Sequence, residues 1–154
     1  MAATPIPYNT IASQIKTILS ADALTSGYTI EIETEPMFSV ERTPWIGIYL
    51  SGREPGDIAA SGGQSLSSAQ RTRFNLKYTL VVVHVDYESL ADCISTRNTA
   101  MSNVEVVLSK DRSIGNTVNT SYLTGGAVES GKGNNGFVAV SEIELIAEAT
   151  LTTA

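Results

Sequence analysis

Between Arg71 and Val85 apolar and polar residues alternate, with Phe74, Leu76, Tyr78, Leu80 and Val82 on one side and Arg71, Arg73, Asn75, Lys77 and Thr79 beginning the other. Successive side chains of a strand point to opposite faces, so this period of two predicts a long, half-buried strand. Beyond Thr79 both faces become apolar. That change predicts that the strand runs into a region covered on both sides, by a helix on one and by a second subunit on the other. Tyr28 to Glu35 alternates in the same way, sending Ile30 and Ile32 to one face and Glu31, Glu33 and Glu35 to the other before Pro36 ends the run. The apolar stretch Trp45 to Leu50 after Pro44 predicts a further strand, weakened at Gly47.

Two segments follow a helical period instead. From Asn9 to Ala23, Ile11, Ile15, Ile18 and Leu19 recur at helical spacing, with Asn9 or Thr10 available as a cap after Pro5 and Pro7. From Tyr87 to Leu108, Leu90, Ile94, Met101, Val104, Val107 and Leu108 outline a second, longer helix that Asp86 can cap. The C-terminal third predicts a β-hairpin, Val118 to Val128 against Phe137 to Leu151, joined by a glycine-rich tip from Ser130 to Gly136. In its last strand Ala139, Ser141, Ile143, Leu145, Ala147 and Ala149 face inward, and Glu142, Glu144, Ile146 and Glu148 face out. Gly52 to Gln70 has no period and predicts a loop of about 19 residues, a length at which loops are functional or disordered. These elements predict a single α+β domain over residues 1–154, a mixed or antiparallel sheet packed by two helices and ending in a hairpin.

Composition narrows the function. Of 154 residues 42% are hydrophobic and 17% charged, enough for one core beneath a surface of Ser, Thr, Asn and Gly. Apolar runs such as Leu80 to Val83 fall far short of the roughly 20 residues that span a bilayer. The N-terminus has no basic region followed by an apolar stretch, so neither an export signal nor a membrane partner is expected. A net charge of −6 opposes non-specific binding to nucleic acid. Cys93 is the sole cysteine, which excludes an intrachain disulfide and predicts a small buried residue.

Candidate chemistry is sparse. Gly131, Gly133 and Gly136 satisfy Gly-x-Gly-x-x-Gly, but a strand follows where a phosphate site needs a helix, so they predict a turn. His84, the only histidine, lies by parity on the face of Leu80 and Val82, which predicts a hydrogen-bonded residue at the edge of the core. No catalytic residue, metal site or cofactor is expected, and hence no enzyme. The remaining candidates are charged strips for interaction. Glu31 and Glu33 form one acidic row and Glu142, Glu144 and Glu148 another, while Arg71, Arg73 and Lys77 form a basic row and Lys132 sits at the hairpin tip. Within one sheet such rows make cross-strand pairs, and between identical subunits they set register.

The basic-started strand Arg71-Thr72-Arg73-Phe74-Asn75-Leu76-Lys77-Tyr78, the following helix with Leu90-Ala91-Asp92, and the closing strand ending Ala147-Glu148-Ala149-Thr150-Leu151-Thr152 come in an order that resembles the tail terminator, or tail completion, proteins of long-tailed bacteriophages. The first helix, Thr29-Ile30-Glu31-Ile32-Glu33 and Pro44-Trp45-Ile46-Gly47-Ile48 fit the same order. The resemblance implies a subunit of a homo-oligomeric, hexameric ring in the virion neck, assembled in the host cytoplasm. Such a ring caps the tail tube, ends its polymerisation and meets the head–tail connector. DNA would pass its negatively charged lumen without specific binding. The hairpin tip and the segment 52–70 are then expected to contact neighbours or the tail axis. A neck or connector protein of the same virion, and a small ligand-binding α+β module, are the alternatives.

Overall fold

The computed structural model describes residues 3–36, 42–56, 70–133 and 136–153. Its first element is α1, Tyr8–Ala21. It starts one residue earlier than expected, with Pro7 in the cap position and no side chain capping it, so Asn9 and Thr10 lie inside the first turn. Ile11, Ala12, Ile15 and Leu19 form its buried face. The helix ends where Asp22 becomes extended and its Oδ1 accepts from the Leu24 amide at 3.0 Å.

β1 (Thr29–Ile32) and β2 (Trp45–Pro55) run parallel, with Thr29 opposite Trp45 and Ile32 opposite Ile48. β1 is shorter than its alternation implied, because Glu33 takes a left-handed backbone (φ 52°) that turns the chain out of the ladder. β3 (Gln70–Asp86) is antiparallel to β2, and the pairing continues past an irregularity at Leu50/Gly52 as far as Pro55 opposite Phe74. The predicted loop 52–70 is therefore shorter at both ends: residues 52–55 belong to β2 and Gln70 to β3, and residues 57–69 lie outside the described residues. Gly-Arg-Glu-Pro carries no apolar period, but the neighbouring strand offers it a ladder of backbone partners, and those hydrogen bonds override local composition.

α2 (Leu90–Ser109) buries Cys93, Arg97, Ala100, Val104, Val107 and Leu108. Its cap is Ser89, whose hydroxyl accepts from the Asp92 amide at 3.2 Å, and not Asp86. Asp86 is still paired in β3, and its Oδ1 accepts from the amides of Glu88 and Ser89, shaping the turn into the helix. Leu90, expected on the buried stripe, is 39% exposed at the start of the helix.

β6 (Gly136–Thr153) pairs with β3 along its whole length, from Asp86 opposite Phe137 to Gln70 opposite Thr153. The strand that returns along it is divided into β4 (Thr120–Thr124) and β5 (Val128–Gly133), both antiparallel to β6. Thr124 faces Glu144 while Val128 faces Ser141, so one extra residue is accommodated around Gly126. A Cβ on Gly126 would stand 2.1 Å from the Glu142 carbonyl oxygen, which is why only glycine fits this break. Ser130 to Gly133 are strand and not tip, with Gly133 paired to Gly136 and residues 134–135 outside the described residues.

The sheet order is thus β1-β2-β3-β6-β4, with β5 also on β6: a mixed sheet of six strands with two helices, the α+β class expected. Both helices pack on the face carrying Leu76, Tyr78, Leu80, Val82, Ile143, Leu145 and Ala147, and form the main core with it. The opposite face holds a smaller cluster of Trp45, Val83 and Val85, against which Tyr49, Val81, Val138 and Val140 pack. Trp45 and Val83 are fully buried. The doubly apolar end of β3 is therefore covered from within the chain by an indole, where the sequence suggested a second subunit.

Candidate interaction surface

The strand pair β3 and β6 places the charged rows on the sheet face away from the helices. There Arg73 Nε lies 3.6 Å from Glu148 Oε1 and Lys77 Nζ lies 3.0 Å from Glu144 Oε1. Both contacts are diagonal, since Arg73 directly opposes Thr150 and Lys77 opposes Ile146. Long side chains reach such neighbours across a sheet. The Lys77 ammonium, and after it the Thr124 hydroxyl, hold the Glu144 carboxyl below the usual carboxylate range against the opposing effect of desolvation. A pair of hydroxyls, Thr79 Oγ1 donating to Ser51 Oγ at 2.7 Å, carries the polar surface on to β2.

Of the other predicted strip residues, Arg71 and Glu142 continue these rows, while Glu31, Glu33 and Lys132 lie elsewhere. Glu31 lies on the opposite edge of the sheet and is paired with Arg42. Glu33 is exposed beside it, and its Oε1 accepts from the Leu50 amide at 2.7 Å. Glu142 is exposed on β6, and Lys132 is exposed on β5 opposite Phe137. Arg71 is exposed at the foot of β3 opposite Thr152. The structure thus brings Arg73 to Glu148 and Lys77 to Glu144 within one chain, and leaves Glu31 and Glu33 away from the basic row.

Arg71 and Arg73 border a concavity of about 540 Å³ on this face, completed by Thr4, Asn119, Glu148, Thr150 and Thr152. The N-terminal segment closes one side of it, bridging β6 through Thr4 N–H to Thr152 O at 2.8 Å. Asn119 closes another, its Nδ2 donating to Glu148 Oε1 at 3.2 Å and to Thr150 Oγ1 at 2.7 Å. A second hollow of about 620 Å³ separates α2 from β4, between Glu105, Val106 and Ser109 on the helix and Arg112, Tyr122 and Leu123 beyond it.

Arg97 has a role that the sequence reading missed. It is 3% exposed, and its Nη1 donates to Glu129 O at 3.0 Å and Val140 O at 2.8 Å, while Nε donates to Asn98 Oδ1 at 2.9 Å. The guanidinium clamps β5 and β6 onto α2. Its signal was positional, since Arg97 sits between Cys93 and Ala100 at the helical spacing of the buried stripe.

His84 takes the core-side position expected, half-buried, but its Nδ1 is buried without a hydrogen-bond partner among the described residues. Burial pushes its pKa down, and nearby Asp86 opposes that shift. Cys93 is fully buried and donates its thiol to His84 O at 3.3 Å, and burial raises its pKa. Among the described residues no group of three His, Cys, Asp or Glu side chains is placed to hold a metal ion, and no helix is long and apolar enough to cross a membrane. The chain matches no protein-family model and no curated protein sequence.

Proposed function

We propose that this chain is a non-enzymatic structural subunit that closes into a ring with copies of itself and caps the tail tube of a long-tailed bacteriophage, meeting the head connector on its other side. The observation that carries this reading is the one-sided architecture. Both helices pack on one face of the sheet, and the long strands β3 and β6 present Arg71, Arg73, Lys77, Glu144 and Glu148 on the other. Such a layout, in the element order already noted, leaves an extended rigid polar surface and the two sheet edges β1 and β4 for contact with neighbouring subunits. Four of these side chains are engaged with each other, Arg73 with Glu148 and Lys77 with Glu144, an arrangement suited to holding shape more than to proton transfer.

The test is the mass of the purified protein by light scattering after size exclusion, at several concentrations and two salt levels, alone and with tail-tube protein. A hexamer in either condition is expected. A chain that stays monomeric and never associates with tube protein overturns the reading, and association with portal-side proteins alone transfers it to a neck protein.

A further inference from the structure

The internal ion pairs leave two features of opposite charge unmatched at opposite sides of the sheet. On the β6 side is the concavity bordered by Arg71 and Arg73. Arg71 is exposed and has no carboxylate partner among the described residues. Arg73 reaches Glu148 only through Nε, at 3.6 Å, and the same carboxylate oxygen also accepts from Asn119. Each guanidinium carries five N–H donors in a planar fork that matches a carboxylate, so most of the donors on these two side chains are free. The hydroxyls of Thr150 and Thr152 line the same hollow.

On the far side, beyond β2, the chain leaves β1 through the left-handed Glu33 and runs exposed from Glu33 to Pro36. Glu33 spends one oxygen on the Leu50 amide, and Glu35 has no partner among the described residues. Resting on the ring reading above, we infer that the Arg71–Arg73 concavity of each subunit receives the Glu33–Glu35 segment of the next copy. A chain of net charge −6 repels its own copies at a distance, so association needs a local cationic receptor. Among the other cations, Arg42, Lys77 and Lys110 are ion-paired, Arg97 is buried and Arg53 stacks on Phe74 at 5.8 Å, while Lys16, Arg112 and Lys132 are exposed singly on separate elements, so Arg71 and Arg73 form the paired cationic site. Receptor and ligand are different surfaces on opposite sides of one sheet. Contacts of that kind run head to tail and give a ring where the rotation between copies closes, whereas a self-complementary patch would stop at a dimer.

The experiment compares three samples by light scattering: R71E/R73E, E33K/E35K, and an equimolar mixture of the two, with tube protein added where the wild type requires it. Each variant alone is expected to lose association by about tenfold or more, because every contact then meets like charge. The mixture is expected to restore it, since each reversed receptor then meets a reversed segment in an alternating ring. R71E and E35K as single variants keep the test valid if a double variant misfolds, because neither side chain has a partner among the described residues. If the wild type assembles and R71E/R73E assembles equally well, the inference fails while the ring reading stands. If each variant fails and the mixture does not recover, the arginines hold some other carboxylate, and the assignment to Glu33–Glu35 is overturned. A wild type that never associates overturns the ring reading itself, and this inference with it.

Discussion

The indole of Trp45 lies over Gly47, so that a Cβ placed on the glycine would stand 2.4 Å from the ring's Cη2 and 2.7 Å from Tyr49 Cε2. The two residues are two apart on β2 and share its outer face. The space a side chain would need at position 47 is filled by the ring that seals Val83 and Val85. A glycine that weakens a strand in isolation is here what leaves room for the Trp45 indole alongside Tyr49. Gly47→Ala is therefore expected to destabilise the fold by about 1–3 kcal/mol through overpacking. The chain has a single tryptophan, so its emission should shift to the red as the ring is displaced. Urea unfolding followed by fluorescence reads both, and an unchanged spectrum and midpoint would place the indole elsewhere.

Arg97 offers a different kind of test, because it stabilises by donating and not by filling space. Arg97→Met keeps an unbranched stem in the buried stripe but removes both hydrogen bonds to Glu129 O and Val140 O. Leaving part-buried acceptors without this charged donor costs about 1–3 kcal/mol. The loss should be local first. Amide exchange in β5 should quicken before global unfolding does, and equal protection of β5 in the variant would show that the clamp is not what holds this strand.

The stripe from Leu76 to Val82 was legible because a period of two with one apolar face admits only one register. The buried face of α1 was legible for the matching reason, and that of α2 only in its second half at Val104, Val107 and Leu108, because its first half buries Cys93, Arg97 and Ala100 while Leu90 is exposed. The extension of β2 to Pro55 was not, since nothing in Gly52-Arg53-Glu54-Pro55 signals a strand until β3 is alongside. The charged strips were readable as rows, but the contact between Arg73 and Glu148 depends on β3 and β6 being neighbours, a long-range fact with no local mark. Arg97 was hidden by its chemistry: its position spelled core, and its charge argued for the surface.

The two acceptors near the start of α2 should separate by substitution. Ser89→Ala removes the cap that receives the Asp92 amide and should cost about 1 kcal/mol. Asp86→Ala should instead loosen the turn formed by Glu88 and Ser89 while leaving the helix cap in place. Thermal melts compare stability, and helix-specific amide exchange of the first turn of α2 discriminates the two. If Asp86→Ala alone frays that turn, Asp86 and not Ser89 governs the helix start.

His84 should leave a signature in the pH dependence of stability. Burial lowers its pKa from the ordinary 6.5, and Asp86 only partly offsets this. The unfolded chain therefore binds a proton more readily than the folded one, and stability rises with pH across the window between the folded value and 6.5. This contribution is fully present above the unfolded value and is lost as pH falls through the folded one. Asp22, Asp86, Asp111 and Glu144 also titrate below their ordinary values, held there by hydrogen bonds. Their losses come at still lower pH, because those values start at 3.8 for aspartate and 4.5 for glutamate. The slope just below 6.5 consequently belongs to His84. Urea midpoints for the wild type and His84→Gln, taken at about half-unit steps between roughly pH 5 and 8, should diverge on the acid side, with the variant flat where the wild type falls. Parallel curves would mean that the imidazole is hydrated or partnered in solution and that its buried Nδ1 does not resist protonation.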